Sequence, residues 1–135
     1  MSDVLSSLGI NGKLVLFYGA LDPRKGVGVL IRAFKILHSK FKILDSRLLI
    51  VGTGPEEKNL KSLVRSLKLE NAVAFVGWQD DLASFYKTAN VFIQTSLFEG
   101  YGLSLVEAGL SGLPVITTPV GIAKELEDGK DVYIC

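Results

Sequence analysis

Short apolar segments alternate with helical patterns along almost the whole chain, and this alternation constrains the fold more than any other feature. The apolar segments are rich in β-branched and aromatic residues and are bounded by Gly, Pro or polar residues: KLVLFYGA, RLLIVG, AVAFVGW, NVFIQTS and PVITT. Continuous apolar runs of this length are typical of parallel strands covered on both faces. Strands that alternate with helices predict an α/β fold with right-handed crossovers.

The intervening segments predict the helices. Apolar residues recur at spacings of three and four over residues 26–41 and 56–69, and Pro55 suits the first position of the second helix. Asp80 is the predicted N-cap of a short third helix. A fourth helix is predicted from Leu103 to residues 109–112, and a short fifth around residues 123–127. Residues 1–12 are interpreted as a lead-in, and residues 13–135 as one domain.

Composition excludes several classes of protein. The chain of 135 residues has 15 basic and 14 acidic side chains, a net charge of +1 that gives no electrostatic case for nucleic acid. No run reaches the roughly 18 apolar residues of a membrane helix, and the N-terminus lacks the pattern of a signal peptide. The single cysteine, Cys135, permits no intrachain disulfide, so a cytoplasmic location is predicted. One His and one Cys cannot form a metal site, and His38 is interpreted as a surface residue.

The loops that follow the predicted strands are the candidate binding loops, because parallel sheets bind ligands at the carboxyl ends of their strands. These loops cover residues 19–25, 52–55, 77–80, 95–102 and 118–121. Each contains glycine, which lets backbone approach a ligand closely but is also common in tight turns. The glycines singled out in the first three loops are Gly19, Gly52, Gly54 and Gly77.

The stretch SLFEGYGLSLVEAGLSGLPVI, residues 96–116, places two carboxylates beside a predicted helix N-terminus. Gly100 and Gly102 precede the helix, whose free N–H groups suit phosphate. Glu99 and Glu107 flank that position, and carboxylates accept hydrogen bonds from sugar hydroxyls. The pair predicts a site for a sugar attached to phosphate. The alternative is a helix-terminal charge and a solvated glutamate.

A basic pair at the start of the first helix supplies a candidate cation. Arg24 and Lys25 follow the first strand directly, and cations are disfavoured at helix N-termini unless an anion binds there. Two solvated side chains are the alternative, and Lys25, which precedes Gly26, is the better placed of the two.

These segments closely resemble the C-terminal, nucleotide-sugar-binding domain of retaining GT-B glycosyltransferases, a group that includes glycogen synthases, sucrose synthases and bacterial mannosyltransferases. EGYGLSLVEA is similar to the group's E-x7-E motif, since Glu99 and Glu107 are eight residues apart. The other similar blocks follow the family's order over residues 13–125: PRKG, LLIVGTGPEEKNL, AVAFVGW, DDLASFYKTANVFIQTS and GLPVITTPVG. The resemblance implies a Rossmann-like parallel sheet flanked by helices, one half of a GT-B fold.

The resemblance also implies roles for individual residues. Glu99 would hold the donor sugar and place its anomeric carbon, and Glu107 would bind ribose hydroxyls. Lys25 would neutralise the diphosphate as a catalytic group together with Glu99. Nucleotide-sugar contacts are expected at these three positions and at Gly19, Arg24, Gly52, Gly54, Gly77, Trp78, Gly100, Tyr101, Gly102, Leu103 and Ser104. Trp78 either stacks on the base or packs beneath its loop.

The implied reaction is transfer of a sugar from a UDP, GDP or ADP donor to an acceptor hydroxyl, with retention at the anomeric carbon. The resemblance implies no metal and no other cofactor. It also implies work in polysaccharide or glycolipid biosynthesis and an N-terminal GT-B domain as partner. The acceptor is not defined by the sequence, and peripheral membrane association of a full-length protein stays open.

The sequence departs from the family pattern at several points. Ala20 stands where the family commonly has arginine, and Lys124 replaces the proline of a Gly-Gly-x-Pro-Glu block. The N-terminal domain and the closing helices are absent, and the chain stops at DVYIC, in a segment that resembles a strand. The expectation is therefore a domain truncated at its C-terminus that binds its donor but transfers nothing alone.

Two other functions stay open at this point. VGTGPE begins like the G-x-G-x-x-G sequence of dinucleotide-binding oxidoreductases, but Glu57 stands where the third glycine belongs. The other alternative is a non-catalytic nucleotide-sugar-binding module or a domain like that of GT-B epimerases.

Overall fold

A computed structural model describes residues 6–9, 12–40 and 45–135, and parts of the predicted lead-in and Phe41 lie outside these ranges. The strands of the described chain are Leu14–Tyr18 (β1), Arg47–Val51 (β2), Val73–Gly77 (β3), Val91–Gln94 (β4), Val115–Thr117 (β5) and Tyr133–Ile134 (β6). They form one sheet in the order β3-β2-β1-β4-β5-β6, and every pairing is parallel. The predicted α/β class with a parallel sheet is confirmed.

Helices cover both faces of the sheet. The α-helices are Val27–Lys40 (α1), Glu57–Ser66 (α2), Leu82–Thr88 (α3) and Leu103–Leu110 (α4). One buried cluster joins α1 and α2 to the sheet through residues such as Ile31 and Leu60. A second cluster joins α3 and α4 to the opposite face through residues such as Phe85 and Leu105. The strands read as continuous apolar runs because both of their faces are covered.

Four local predictions need correction. The N-cap of α3 is Asp81, whose carboxylate accepts from the Ser84 N–H, and not Asp80. The second helix begins at Glu57, after a turn that contains Pro55, so this proline does not occupy the first helical position. The predicted fifth helix is a 3₁₀ helix, Gly121–Glu125. His38 is half-buried rather than fully exposed, because its ring lies 5.7 Å from the ring of Phe34.

The strand order places a crevice at the centre of the sheet. The chain leaves β1 toward β2 on one side, whereas β4 pairs with β1 on the other side. The loops that follow β1 and β4 therefore diverge to opposite faces, which opens a crevice outside the carboxyl ends of these two strands.

Candidate functional site

A cavity of about 580 Å³ opens at this crevice. The loops after β1, β2, β3 and β4 and the first turns of α4 all contribute to its walls. The lining residues are Tyr18, Gly19, Ala20, Lys25, Gly52, Thr53, Trp78, Glu99, Tyr101, Gly102, Leu103, Ser104 and Glu107. The fold therefore brings the two glutamates, the lysine and the helix N-terminus of the sequence analysis to one place.

One main-chain hydrogen bond and one side-chain hydrogen bond join the β1 and β4 loops. The Leu97 N–H donates to the Arg24 carbonyl at 2.7 Å, and the Thr95 hydroxyl lies 2.9 Å from the Gly26 carbonyl oxygen. Gly26 adopts a φ of +62°, and a Cβ there would meet the Thr95 carbonyl oxygen at 2.3 Å. Glycine is therefore required at this junction, which fixes Lys25 relative to Glu99.

Lys25 and Glu99 form an ion pair inside the cavity. The Lys25 Nζ lies 2.6 Å from Glu99 Oε1, and the side chains are only 16% and 12% exposed. The hydroxyl of Ser96, a fully buried residue, donates to the same carboxylate oxygen at 2.8 Å. Burying a carboxylate is costly unless it is paired and hydrogen-bonded, and both kinds of partner are present here. Glu99 thus has one oxygen committed to protein groups.

Glu107 lies in a different environment. Its side chain is exposed, and its Oε2 accepts from the hydroxyl of Tyr86 at 3.1 Å. Burial and the adjacent charge of Glu107 raise the pKa of Tyr86 well above its usual range, so the phenol stays protonated and remains a donor.

The N-terminus of α4 faces the cavity between these carboxylates. Gly102 is its N-cap, with a φ of +101°, and no side chain caps the helix. The N–H groups of the first turn, including those of Leu103 and Ser104, have no partner within the helix. Free N–H groups and the positive end of the helix dipole together favour an anion.

An aromatic wall borders the cavity on the β3 side. Trp78 is 64% exposed, so it does not pack beneath its loop. Its ring centroid lies 6.3 Å from that of Tyr18, and its Nε1 donates to Asp80 Oδ1 at 3.0 Å. The indole is therefore held at the surface with a face available for stacking.

Comparison with known proteins identifies the family. A family model described as glycosyl transferases group 1 matches residues 6–134. The chain belongs to this glycosyltransferase family. The dinucleotide-binding oxidoreductase alternative is wrong, since almost the whole chain matches a different family.

Named relatives agree with this assignment. The chain is 38% identical over 124 residues to the N-acetyl-alpha-D-glucosaminyl L-malate synthase of Bacillus anthracis, with 91% of this chain and 32% of that protein covered. It is 30% identical over 128 residues to an uncharacterised glycosyltransferase of Haemophilus influenzae, with 93% of this chain and 36% of that protein covered. The chain thus spans about a third of the length of these curated relatives.

Solved glycosyltransferase structures share the fold. The structure of Anabaena HepE in complex with UDP and glucose superposes with a TM-score of 0.88 at 28% identity, covering 98% of this chain and 37% of that chain. The pneumococcal O-GlcNAc transferase GtfA, in complex with UDP and GlcNAc, superposes with a TM-score of 0.82 at 27% identity, covering 92% of this chain and 25% of that chain. The expected architecture, a parallel sheet flanked by helices as in one half of a GT-B glycosyltransferase, is confirmed.

Four predicted binding residues of this glycosyltransferase domain do not line the cavity. Arg24 is 60% exposed and pairs with Asp22 at 3.1 Å, an interaction that lowers the pKa of Asp22. A Cβ at Gly54 would meet the Leu21 carbonyl oxygen at 2.4 Å, so that glycine serves the contact between two loops. Gly77 takes a left-handed φ of +71°, and the exposed Gly100 also lies outside the lining.

Other residues of the site were missed by sequence reasoning. Tyr18 and Thr53 line the cavity, and Ser96 and Tyr86 hold the two glutamates. Ser96 lies in the same stretch as Glu99, so the sequence could have indicated its hydroxyl as a partner of that carboxylate. In the sequence Tyr86 falls on an apolar position of the predicted third helix, and a buried tyrosine usually finds a partner for its hydroxyl.

The residues that the structure describes contain neither a metal-binding cluster nor a membrane-spanning helix. In these residues no cluster of three or more His, Cys, Asp or Glu side chains could hold a metal ion. Within the same ranges, no helix combines the length and the apolarity needed to cross a bilayer.

Proposed function

We propose that this domain binds a nucleoside diphosphate sugar as the donor half of a retaining glycosyltransferase. The observation that carries the proposal is the convergence of Lys25, the α4 N-terminus and two carboxylates on one cavity. A cation and free N–H groups suit a diphosphate, and carboxylates suit the hydroxyls of the sugars on either side of it.

Each polar group has a separate task in this proposal. The Lys25 ammonium and the N–H groups of Leu103 and Ser104 bind the diphosphate. Glu107, on the exposed side of the cavity, accepts from the ribose hydroxyls. Glu99 accepts from the transferred sugar and places its anomeric carbon. The base lies against Trp78, beside the β3 loop.

The proposed reaction breaks the bond between the anomeric carbon and the diphosphate oxygen. The acceptor hydroxyl forms the new bond on the same face of the sugar. The electron pair of the broken bond goes to the departing diphosphate oxygen, which takes up the proton of the acceptor hydroxyl. Lys25 and the helix N-terminus stabilise the charge that develops on the leaving oxygen. These groups do the work that a metal ion does elsewhere, so we propose a metal-free mechanism without a cofactor.

The acceptor side is proposed to come from a second domain. The chain spans only about a third of its glycosyltransferase relatives, and the lining of the described cavity includes exposed side chains such as those of Trp78 and Tyr101. The bound UDP in similar structures supports a nucleotide donor. O-antigen glycosyltransferases among the relatives support a role in polysaccharide or glycolipid synthesis.

A second candidate function is a module that binds the nucleotide sugar without transferring it. Lys25 is the only basic side chain among the described lining residues, and Ala20 lines the cavity where the family commonly has arginine. Lys25 is also already paired with Glu99. A weakened anion site would still bind donor but would stabilise the leaving diphosphate poorly.

Calorimetric titration of the chain with UDP, GDP, ADP and NAD tests the proposal. One nucleoside diphosphate should bind with a Kd on the order of 0.1–1 mM, because one wall of a cleft supplies only part of the contacts. NAD should not bind. Failure of all three diphosphates would refute donor binding, and sugar transfer by this chain alone would refute the need for a second domain.

A retaining transferase and a binding module are separated by product analysis. The chain joined to a GT-B N-terminal domain, supplied with the preferred donor and candidate acceptors, should give a product with the anomeric configuration of the donor, read by proton NMR. Donor binding without product would favour the binding module, and an inverted product would contradict retention.

A further inference from the structure

We infer that Tyr86 is a positioning residue for Glu107 and thereby sets the preference of the site for a ribose with both hydroxyls. This inference rests on the proposed function, because it assigns Glu107 to the ribose. Tyr86 does not line the cavity, and it acts through the carboxylate rather than by touching the nucleotide.

The contact joins a buried hydrogen-bond donor, Tyr86, to an exposed carboxylate, Glu107. Tyr86 is only 4% exposed, and its ring lies 6.2 Å from the ring of Phe92 at an interplanar angle of 56°. Glu107 is exposed on α4, where an unrestrained glutamate would sample several rotamers. The 3.1 Å hydrogen bond from the Tyr86 hydroxyl to Glu107 Oε2 ties the carboxylate to the hydrophobic core.

The tie leaves the carboxylate usable by a ligand. Within the described chain the hydroxyl of Tyr86 reaches Oε2, which leaves Oε1 as an acceptor toward the cavity that Glu107 lines. The same hydroxyl lies 3.5 Å from the Ser104 carbonyl oxygen, so it is also set against the first turn of α4. Glu107 is thus held in register with the N–H groups that would bind the diphosphate.

The Tyr86 hydroxyl stays protonated, and so remains a donor, at neutral pH. Burial and the charge of Glu107 disfavour the phenolate form, so the pKa of Tyr86 is raised. A neutral hydroxyl donor does not cancel the charge of the carboxylate that it binds. Glu107 therefore remains available to accept hydrogen bonds from ligand hydroxyls.

The test compares Tyr86→Phe with the wild-type chain, and Tyr133→Phe serves as the matched control. Tyr133 is an exposed tyrosine in β6, outside the cavity lining. The probes are the best-binding diphosphate among UDP, GDP and ADP, and the 2′-deoxy form of the same nucleotide. Loss of one hydrogen bond predicts about 2- to 10-fold weaker binding of the ribonucleotide to Tyr86→Phe.

The ratio between the two probes identifies the role. The 2′-deoxy nucleotide should lose less affinity than the ribonucleotide in Tyr86→Phe, and Tyr133→Phe should match wild type with both. An equal loss with both probes, or no loss with either, would overturn the inference while leaving donor binding intact. If the wild-type chain bound none of the three diphosphates, the proposed function would fail and this inference with it.

A double variant guards against a loss that reflects only poorer folding. In a Glu107→Gln chain, adding Tyr86→Phe should cost less than a further 2-fold in ribonucleotide affinity, because the two changes remove one interaction. Additive losses would overturn the positioning role. Thermal unfolding of each variant, followed by circular dichroism, shows whether the domain remains folded.

Discussion

Glu99 and Glu107 are eight residues apart in one motif, but the fold places them in opposite environments. The Glu99 side chain is 12% exposed and its Oε1 receives both an ammonium and a hydroxyl. Glu107 is exposed and receives one hydroxyl from a buried tyrosine. The first carboxylate is paired with a cation, whereas the second is bonded to a neutral hydroxyl.

The contrast shows why two identical side chains can have distinct tasks. Lys25 is paired with Glu99, so in the proposed function a bound diphosphate would compete with Glu99 for the ammonium. Among the described residues no cation pairs with Glu107, so in the proposed function it can accept from a neutral hydroxyl without displacing one. Changes near the two glutamates should therefore differ in kind as well as in size.

The largest effect is expected when the cation of the pair is removed. Lys25→Met should weaken nucleoside diphosphate binding about 10- to 150-fold, since a hydrogen bond to a charged group is worth roughly 1.5–3 kcal/mol. It should also lower the free energy of unfolding by about 1–3 kcal/mol, because a nearly buried carboxylate loses its counter-ion. Calorimetry and urea unfolding measure the two losses.

Arg24→Met is the matched control, because Arg24 is the neighbouring cation and pairs with Asp22 at the surface. It should leave diphosphate affinity within about 2-fold of wild type, since exposed ion pairs contribute little. Equal losses in the two variants would contradict the assignment of Lys25, rather than Arg24, as the cation that binds the diphosphate.

A smaller effect, confined to the Glu99 side, is expected from Gly121→Ala. Gly121 has a φ of +55°, and a Cβ there would meet the Tyr101 carbonyl oxygen at 2.4 Å and the Glu99 Cβ at 3.1 Å. The strain should cost about 1–3 kcal/mol of stability and displace the loop that carries Glu99. Gly129→Ala is the control: Gly129 also has a positive φ, +80°, but a Cβ there meets nothing within 4 Å.

Titration of these two variants shows which glutamate moved. Gly121→Ala should lose the extra affinity that the sugar adds to a nucleoside diphosphate, while affinity for the diphosphate alone changes little. Selective loss of diphosphate affinity would contradict the assignment of Glu99 to the sugar.

The smallest effect concerns alkaline stability on the Glu107 side. The pKa of Tyr86 is raised by burial and by Glu107, whereas an unfolded tyrosine titrates near pH 10. The folded state holds this proton more tightly, so its stabilising contribution is complete below about pH 10 and is lost as the pH rises further. The melting temperature of wild type should fall more steeply than that of Tyr86→Phe between about pH 9.5 and 11. Parallel curves would show that the pKa of Tyr86 is not raised in the folded state.

Much of the fold could be predicted from sequence because each strand is an apolar run covered on both faces. The run KLVLFYGA became β1, and even the terminal segment YI pairs with β5. The predicted N-cap of α3 was wrong because Asp80 and Asp81 are equally good N-cap residues. Only the chain geometry selects Asp81. Sequence also could not separate Gly52, which lines the cavity, from Gly54, which packs on the Leu21 backbone.

Partners within the site were less predictable than the site itself. The Lys25–Glu99 pair joins residues 74 positions apart, and only the adjacency of β1 and β4 brings them together. Arg24 and Lys25 have the same charge in the sequence, but Asp22 captures the first and Glu99 the second. The contact between Tyr86 and Glu107 needs α3 and α4 on the same face of the sheet, which the order of elements alone does not specify.

The most direct test of the two-carboxylate account is calorimetric titration of Glu99→Gln and Glu107→Gln with the preferred nucleoside diphosphate and with its sugar. Glu70→Gln is the control, because Glu70 is exposed and lies before β3, at the amino ends of the strands and away from the cavity. Glu107→Gln should weaken both ligands about 10- to 150-fold. Glu99→Gln should leave diphosphate affinity unchanged or higher, because Lys25 is freed, and should remove only the increment that the sugar adds. Equal losses for both ligands in both variants would contradict the separate roles.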